Sequence, residues 1–164
     1  MNDRIKSGLG ELLRYVTELV DQGAEAQYRE LKINYRARYT PVLRAISAGA
    51  QTVTDITART NLTQGAVSQT IGLMISDGII ARHSLEDGRK SGIHLTTHGT
   101  NLLSLLIPLW QGTFAAIDVL EREVGHPLLR VLEDTARALE RKSFSSRLAE
   151  TRMLHERKEL PHDA

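Results

Sequence analysis

Residues 63–69 read Thr-Gln-Gly-Ala-Val-Ser-Gln. Thr63 is of the type that starts a helix by accepting a backbone N–H. Gln64, Gly65, Ala66, Ser68 and Gln69 then place small or amide-bearing groups on the first turns. A glutamine amide pairs with an adenine edge in the major groove and a serine hydroxyl bonds a base or a phosphate, while a helix N-terminus attracts phosphate. Gly65 lowers helix propensity, a cost that close approach to another surface explains. Further on, Asp87-Gly88-Arg89-Lys90 is a polar turn with two long cations. Such a tip reaches into a narrow minor groove, where the potential is most negative, and Asp87 is placed to orient the Arg89 guanidinium. Arg36, Arg38, Arg59 and Arg82 add candidates for phosphate contact. Each part alone is bland, since a charged turn is usually just a solvated turn; the order of the parts carries the signal.

The elements that must position these groups follow from periodicity. Thr52 caps a short helix over 52–62, with Asp55 three residues later in a capping-box arrangement and Val53, Ile56 and Leu62 inward. Asn61 is placed to take a left-handed conformation after its last turn. The helix from Gln64 to Ser76 buries Val67, Ile71 and Met74 or Ile75, and Gly78 ends it. Residues 79–96 change to an extended pattern around Asp-Gly, which predicts a hairpin. Two short capped helices followed by a hairpin are a helix-turn-helix with a wing. Before them, residues 5–22 carry a helical apolar stripe that Gly23 interrupts. A helix from Asn34, its expected N-cap, to Ile46 contains Pro41. After Thr97 come a long stripe (Leu102 to Leu120) with a kink at Pro108, then a break at Gly125-His126 with Pro127 as a first helical residue. A stripe from Leu128 to Leu139 and a last helix, Ser143 to Lys158, follow.

The 164 residues, 41% hydrophobic and 25% charged, describe an ordinary globular chain. The formal charge of +1 excludes nothing, but its distribution is uneven. Residues 31–100 hold eight cations (Lys32, Arg36, Arg38, Arg44, Arg59, Arg82, Arg89, Lys90) against four acids (Asp55, Asp77, Glu86, Asp87), between two mildly acidic ends. With no Cys, disulfides, thiolate metal sites and cysteine redox chemistry are excluded. The apolar run Leu102–Trp110 is too short for a membrane span and the N-terminus lacks a signal-peptide stretch, so a cytoplasmic chain without membrane contact is expected. Six His invite a metal, yet His94 and His98 straddle a strand end and a helix start, and the expectation is no metal and no cofactor. Absence of a nucleophile–base pair, paired carboxylates or a phosphate loop argues against an enzyme.

The segments T-V-T-D-I-T-A-R-T-N-L-T-Q-G-A-V-S-Q-T-I-G-L-M-I-S-D-G-I-I (52–80) and E-D-G-R-K-S-G-I-H-L-T-T-H-G (86–99) resemble the multiple-antibiotic-resistance regulator (MarR) family of transcription factors, with the likeness reaching over roughly residues 5–142. The resemblance implies wing roles for Asp87 and Arg89 and recognition-helix roles for Thr63 to Gln69. It also implies a homodimer and, in many members, an effector pocket between dimer helices and DNA-binding domain. The chain departs where the family commonly carries Arg or Lys: Gln64, Gln69, Leu73 and Ser76 stand there, with Asp77 beyond. Tyr15, Tyr28, Tyr35, Tyr39 and Trp110, with Arg14 or His98 as a polar anchor, are candidates for that pocket, or else simply core and dimer interface.

The expected architecture is mainly α: a dimerisation region at 1–33, a winged helix-turn-helix at 34–97, C-terminal dimerisation helices at 98–158 and a frayed tail at 159–164. The apolar stripes exceed what a small winged core can cover, and two-fold pairing of chains would cover them and match a pseudo-palindromic site. The expected function is a homodimeric regulator of transcription, in the repressor sense, binding double-stranded DNA and released by a small-molecule effector. The alternative is a helical protein–protein interaction module that keeps the winged fold without binding DNA.

Overall fold

The computed structural model describes residues 6–84 and 91–159, with side chains through Met153. The wing residues Asp87, Arg89 and Lys90 lie outside the described residues, as do residues 160–164 of the expected frayed tail. The chain divides into two compact units, Met1–Thr113 and Phe114–Ala164.

The first unit opens with helix α1, Leu9–Glu30. It runs unbroken through Gly23, against the expected interruption; one exposed glycine costs a helix only about 1 kcal/mol, which its neighbours outweigh. Asn34 caps nothing. The chain stays non-helical until a 3-10 turn at Ala37–Tyr39 that leads into α2, Thr40–Ser47. Pro41, with its fixed φ and missing N–H, sits in the first turn, where no intrahelical N–H bond is lost. Gly49, at φ 92°, turns the chain out.

Helix α3, Val53–Ala58, is capped as expected: Thr52 Oγ1 accepts the Asp55 N–H at 3.1 Å. The Asp55 carboxylate in turn accepts from Gln51 N at 3.3 Å. The Thr52 hydroxyl first, and the Gln51 N–H second, hold the Asp55 carboxyl below its ordinary 3.8. Asn61 is not left-handed; among described non-glycine residues only Lys32, φ 56°, has positive φ. A tight turn from Thr57 O to Thr60 N closes α3 instead. Helix α4, Gln64–Ser76, begins on Thr63, whose Oγ1 accepts the Ala66 N–H at 3.2 Å. It ends in a paired closure, Gly78 N to Ile75 O and Ile79 N to Met74 O, both 2.9 Å. Gly78 takes the left-handed φ of 70° which that closure requires.

Strands β1, Ile80–Ser84, and β2, Ser91–Leu95, form one antiparallel pair, with Ala81 opposite His94 and His83 opposite Gly92. The Ile93 N–H bonds Gln51 O at 2.8 Å, tying the hairpin to the start of α3. Tyr39, Val42, Leu43, Ile56, Val67, Ile71, Met74, Ile79, Ile80 and Ile93 are buried between the three helices and the sheet. Each such side chain contributes about 1.5–3 kcal/mol.

Helix α5, Thr97–Val124, adds Leu102, Leu106 and Trp110 to the core and carries Pro108 inside it. It is long and apolar enough to cross a bilayer by length and composition, further than the Leu102–Trp110 run suggests. Its N-terminal half is nonetheless packed. Thr96 Oγ1 accepts from Gly99 N at 2.9 Å and donates to Gly78 O at 2.6 Å, joining the end of α4 to the start of α5.

In the second unit, the rest of α5 ends at Gly125, φ 73°. Pro127 is the cap, one residue earlier than expected, and α6 spans Leu128–Arg141. Helix α7, Phe144–Glu159, is docked on the end of α6 by Arg147 Nη2 to Ala138 O at 3.0 Å and by the Lys142–Glu150 ion pair. Among the described residues none of this unit is buried.

A Cβ at Gly99 would stand 1.9 Å from Ile79 O and 3.0 Å from Ile79 C, both backbone atoms that cannot move aside cheaply. Gly99→Ala is expected to lower stability by about 2–3 kcal/mol, read from urea unfolding; an unchanged midpoint would show that α5 does not seat against Ile79 as described.

Candidate nucleic-acid interface

Helix α4 buries Val67, Thr70, Ile71 and Met74. Those positions recur every three or four residues, so the opposite face is turned to solvent. Thr63, Gln64, Gly65, Ser68, Gln69, Gly72 and Ser76 are exposed, and Ala66 is half-buried. The structure thus gathers the predicted reading residues on one strip. A Cβ added at Gly65 or Gly72 would meet nothing within 4 Å. Neither glycine has a positive φ. Nothing inside the chain therefore explains two glycines on this face, where each costs about 0.8–1.0 kcal/mol relative to alanine. Gly72 was not singled out from the sequence, though its spacing of seven from Gly65 puts it on the same face.

The cations are placed around this strip in differing states. Arg59 Nη1 donates to Ala48 O at 2.6 Å, closing the end of α2. Arg82 Nη1 donates to Ser91 Oγ at 3.3 Å across the hairpin, ahead of the wing tip. Arg38 is exposed on the turn before α2. Arg36 lies 5.9 Å over the Tyr39 ring and reaches Asp77 at 3.7 Å, so it is partly engaged inside the fold.

Asp77 caps the C-terminal end of α4, where an acid opposes the helix dipole. The fold answers that cost from inside. Tyr39, fully buried at 0% exposure, extends its hydroxyl 2.8 Å to Asp77 Oδ2. Burial first, and donation to Asp77 second, raise the Tyr39 phenol above its ordinary range. Sequence reasoning missed this contact because the two residues are 38 apart.

Of the pocket candidates, Tyr35, Tyr39 and Trp110 are buried in the first unit. Tyr28, Tyr35 and Tyr39 form a chain of edge-to-face rings, at 5.2 and 5.9 Å between centroids. The Tyr35 hydroxyl donates to Thr40 Oγ1 at 3.3 Å, and burial drives its phenol far above the ordinary range. Trp110 Nε1 is buried without a hydrogen-bond partner among the described residues. Tyr15, 58% exposed on α1, and His98, exposed in the first turn of α5, are not part of this buried cluster. Tyr28 belongs to this cluster as well. Groups of three or more metal-ligating side chains are absent among the described residues.

Tyr39→Phe removes the hydroxyl and strands Asp77 beside a helix C-terminus. The expected loss is about 1–2 kcal/mol, measured by chemical unfolding, and Asp77→Asn should lose less because an amide still accepts the bond. Equal stability of Tyr39→Phe and the parent would mean that the contact carries no weight.

Residues 35–90 match the model of the MarR family. No curated protein matches the chain. Among solved structures, the chain is similar to the M. tuberculosis transcriptional regulator MosR in complex with DNA, at 21% identity over 84% of this chain and 100% of that one, with a TM-score of 0.68. It is similar to S. aureus MepR in complex with DNA, at 19% identity over 82% and 99% of the two chains and a TM-score of 0.61. A third is Bordetella bronchiseptica BpsR, in a structure concerned with regulation of its DNA binding by 6-hydroxynicotinic acid, at 21% identity over 82% and 99% and a TM-score of 0.59. Residues 35–90 thus resemble the MarR family, in a chain whose fold is similar to that of these regulators.

Proposed function

We propose that the protein is a DNA-binding transcriptional regulator that acts as a homodimer on a pseudo-palindromic site. The observation that carries this is the solvent strip of α4, where Gln64, Ser68 and Gln69 stand beside two glycines that no intramolecular contact requires. Side-chain amides and hydroxyls read base edges in the major groove, and absent Cβ atoms allow the helix closer to the groove floor. The strip itself carries no cation. Phosphate contacts then fall to Arg38, Arg59 and Arg82 on the frame and to Arg89 and Lys90 of the wing, a division of labour between positioning and reading.

The second copy is supported by apolar faces without cover. Leu9, Leu12, Leu13, Val16, Leu19 and Val20 on α1 are 39–59% exposed. Leu129, Leu132 and Leu139 on α6 are exposed as well. A unit with no buried residue has no core of its own, and pairing with an identical chain would supply one. Repression would follow from occupancy of a promoter by such a dimer. A small-molecule effector would act beside the aromatic cluster of Tyr28, Tyr35 and Trp110.

Three outcomes test the reading. Sedimentation should give twice the mass of one chain. Selection from a random duplex pool should recover two half-sites about 34–36 Å apart, with log affinity falling by about 0.9 per phosphate contact for each tenfold rise in salt. A monomer indifferent to all duplexes would favour the interaction-module alternative. Gly65→Ala and Gly72→Ala should each raise stability by about 0.5–1 kcal/mol while weakening DNA binding. More stable variants with undiminished affinity would show that α4 does not approach the groove.

A further inference from the structure

We propose that His83 and His94 form a two-histidine site for a late first-row divalent metal ion on the solvent face of the hairpin. The two residues are diagonal neighbours, since His94 pairs with Ala81 and His83 with Gly92. All four therefore share one face of the sheet. Ala81 is half-buried and Gly92 buried, and both are small, so neither side chain stands between the two imidazoles. The rings stand 5.0 Å apart, tilted by 59°, with Nδ1 facing Nδ1 at 3.0 Å. Both residues are exposed, so an ion reaches them directly and water completes the coordination.

Two readings of that distance compete. An N–H···N hydrogen bond fits it, with one ring protonated on Nδ1 and its partner accepting. Two nitrogens bound to one ion fit it as well: at metal–nitrogen distances of about 2.0–2.1 Å, ligands at square to tetrahedral angles lie about 2.9–3.4 Å apart. The pair is thus already at the bite of a chelate, and the strand pairing that holds it is an ordered ladder. Exchanging the hydrogen bond for an ion asks that the δ-protonated ring move its proton to Nε2 through solvent and that both rings turn so that their Nδ1 lone pairs converge on the ion. Imidazole donors without thiolate or carboxylate favour Cu2+ above Ni2+ and Zn2+. This site needs neither DNA binding nor the dimer.

The test is isothermal titration of CuCl2 and of ZnCl2 into the untagged full chain, with copper spectra recorded alongside. The expected result is one ion per chain, Cu2+ tighter than Zn2+, with the signature of two nitrogen donors. His83→Gln and His94→Gln should each weaken binding by more than the roughly tenfold that loss of a mere outer-shell partner costs. Circular dichroism should show both variants folded, as befits exposed positions. His98→Gln, four residues beyond His94 but on α5, should bind as the parent does. Unchanged affinity in both His83→Gln and His94→Gln, or no saturable binding to the parent, would overturn the site and leave the pair as a hydrogen bond only.

Discussion

Helix α4, the proposed reading helix, is tied to the core by one buried phenol. Tyr39 is wholly enclosed, yet its hydroxyl emerges at the C-terminal end of α4 to meet Asp77 at 2.8 Å. The apolar side of α4, through Val67, Ile71 and Met74, fixes how deep the helix lies in the core. Packing of that kind tolerates rotation about the contact; a directional bond to a charged group resists it. Arg36, shared between the Tyr39 ring and Asp77, adds a cation where the helix dipole is negative and the acid would otherwise be unwelcome. The N-terminal end is held by Thr63, so both ends of the helix are defined by side-chain oxygen atoms.

From that fixed helix the rest of the first unit follows as a series of short ties. Gln51 O receives the hairpin through Ile93 N, and Thr96 bridges the end of α4 to the start of α5. Gly99 then lets α5 lie against the backbone of Ile79. Each tie is local in space and joins elements that the apolar core alone would leave free to slide. The contrast with the second unit is physical. There the helices keep exposed ion pairs such as Arg137–Asp134, 2.8 Å, which contribute little in water, and Leu129, Leu132, Leu139 and Leu148 are exposed.

Much of this was legible in the sequence because it depends on neighbours. Thr52 and Thr63 cap helices three residues long in reach, and the boundaries of α4 matched its caps and its closing glycine. The misses have the same root in reverse. Gly23 was expected to break α1 and Asn61 to turn left-handed, since propensity was weighed without the packing or the alternative turn that overrides it. Asn34 looked like a cap because its type is right, while Pro41, the second residue of α2, decides where that helix can start. Pairings across the fold were invisible. Tyr39–Asp77 needs the tertiary arrangement, and His83–His94 needs the strand register, which shifts every side chain to the other face if displaced by one residue. The histidines were weighed at the spacing of His94 and His98, where no shared face exists.

The uncharged strip of α4 carries a consequence for how such an interface divides affinity from selectivity. A cation on the reading helix attracts every duplex alike, because phosphate is present at every step. Amides, hydroxyls and missing Cβ atoms attract none from a distance and act only at contact, where base edges differ. Moving the charge to the frame and the wing therefore separates the two tasks in space. The acid at Asp77 fits that division: placed at the far end of the helix and neutralised from within, it adds no attraction for phosphate there. Under the proposed function, a helix so arranged would gain little on the wrong sequence, and its discrimination would rest on how rigidly Gln64, Ser68 and Gln69 are presented, which returns the burden to the phenol beneath them.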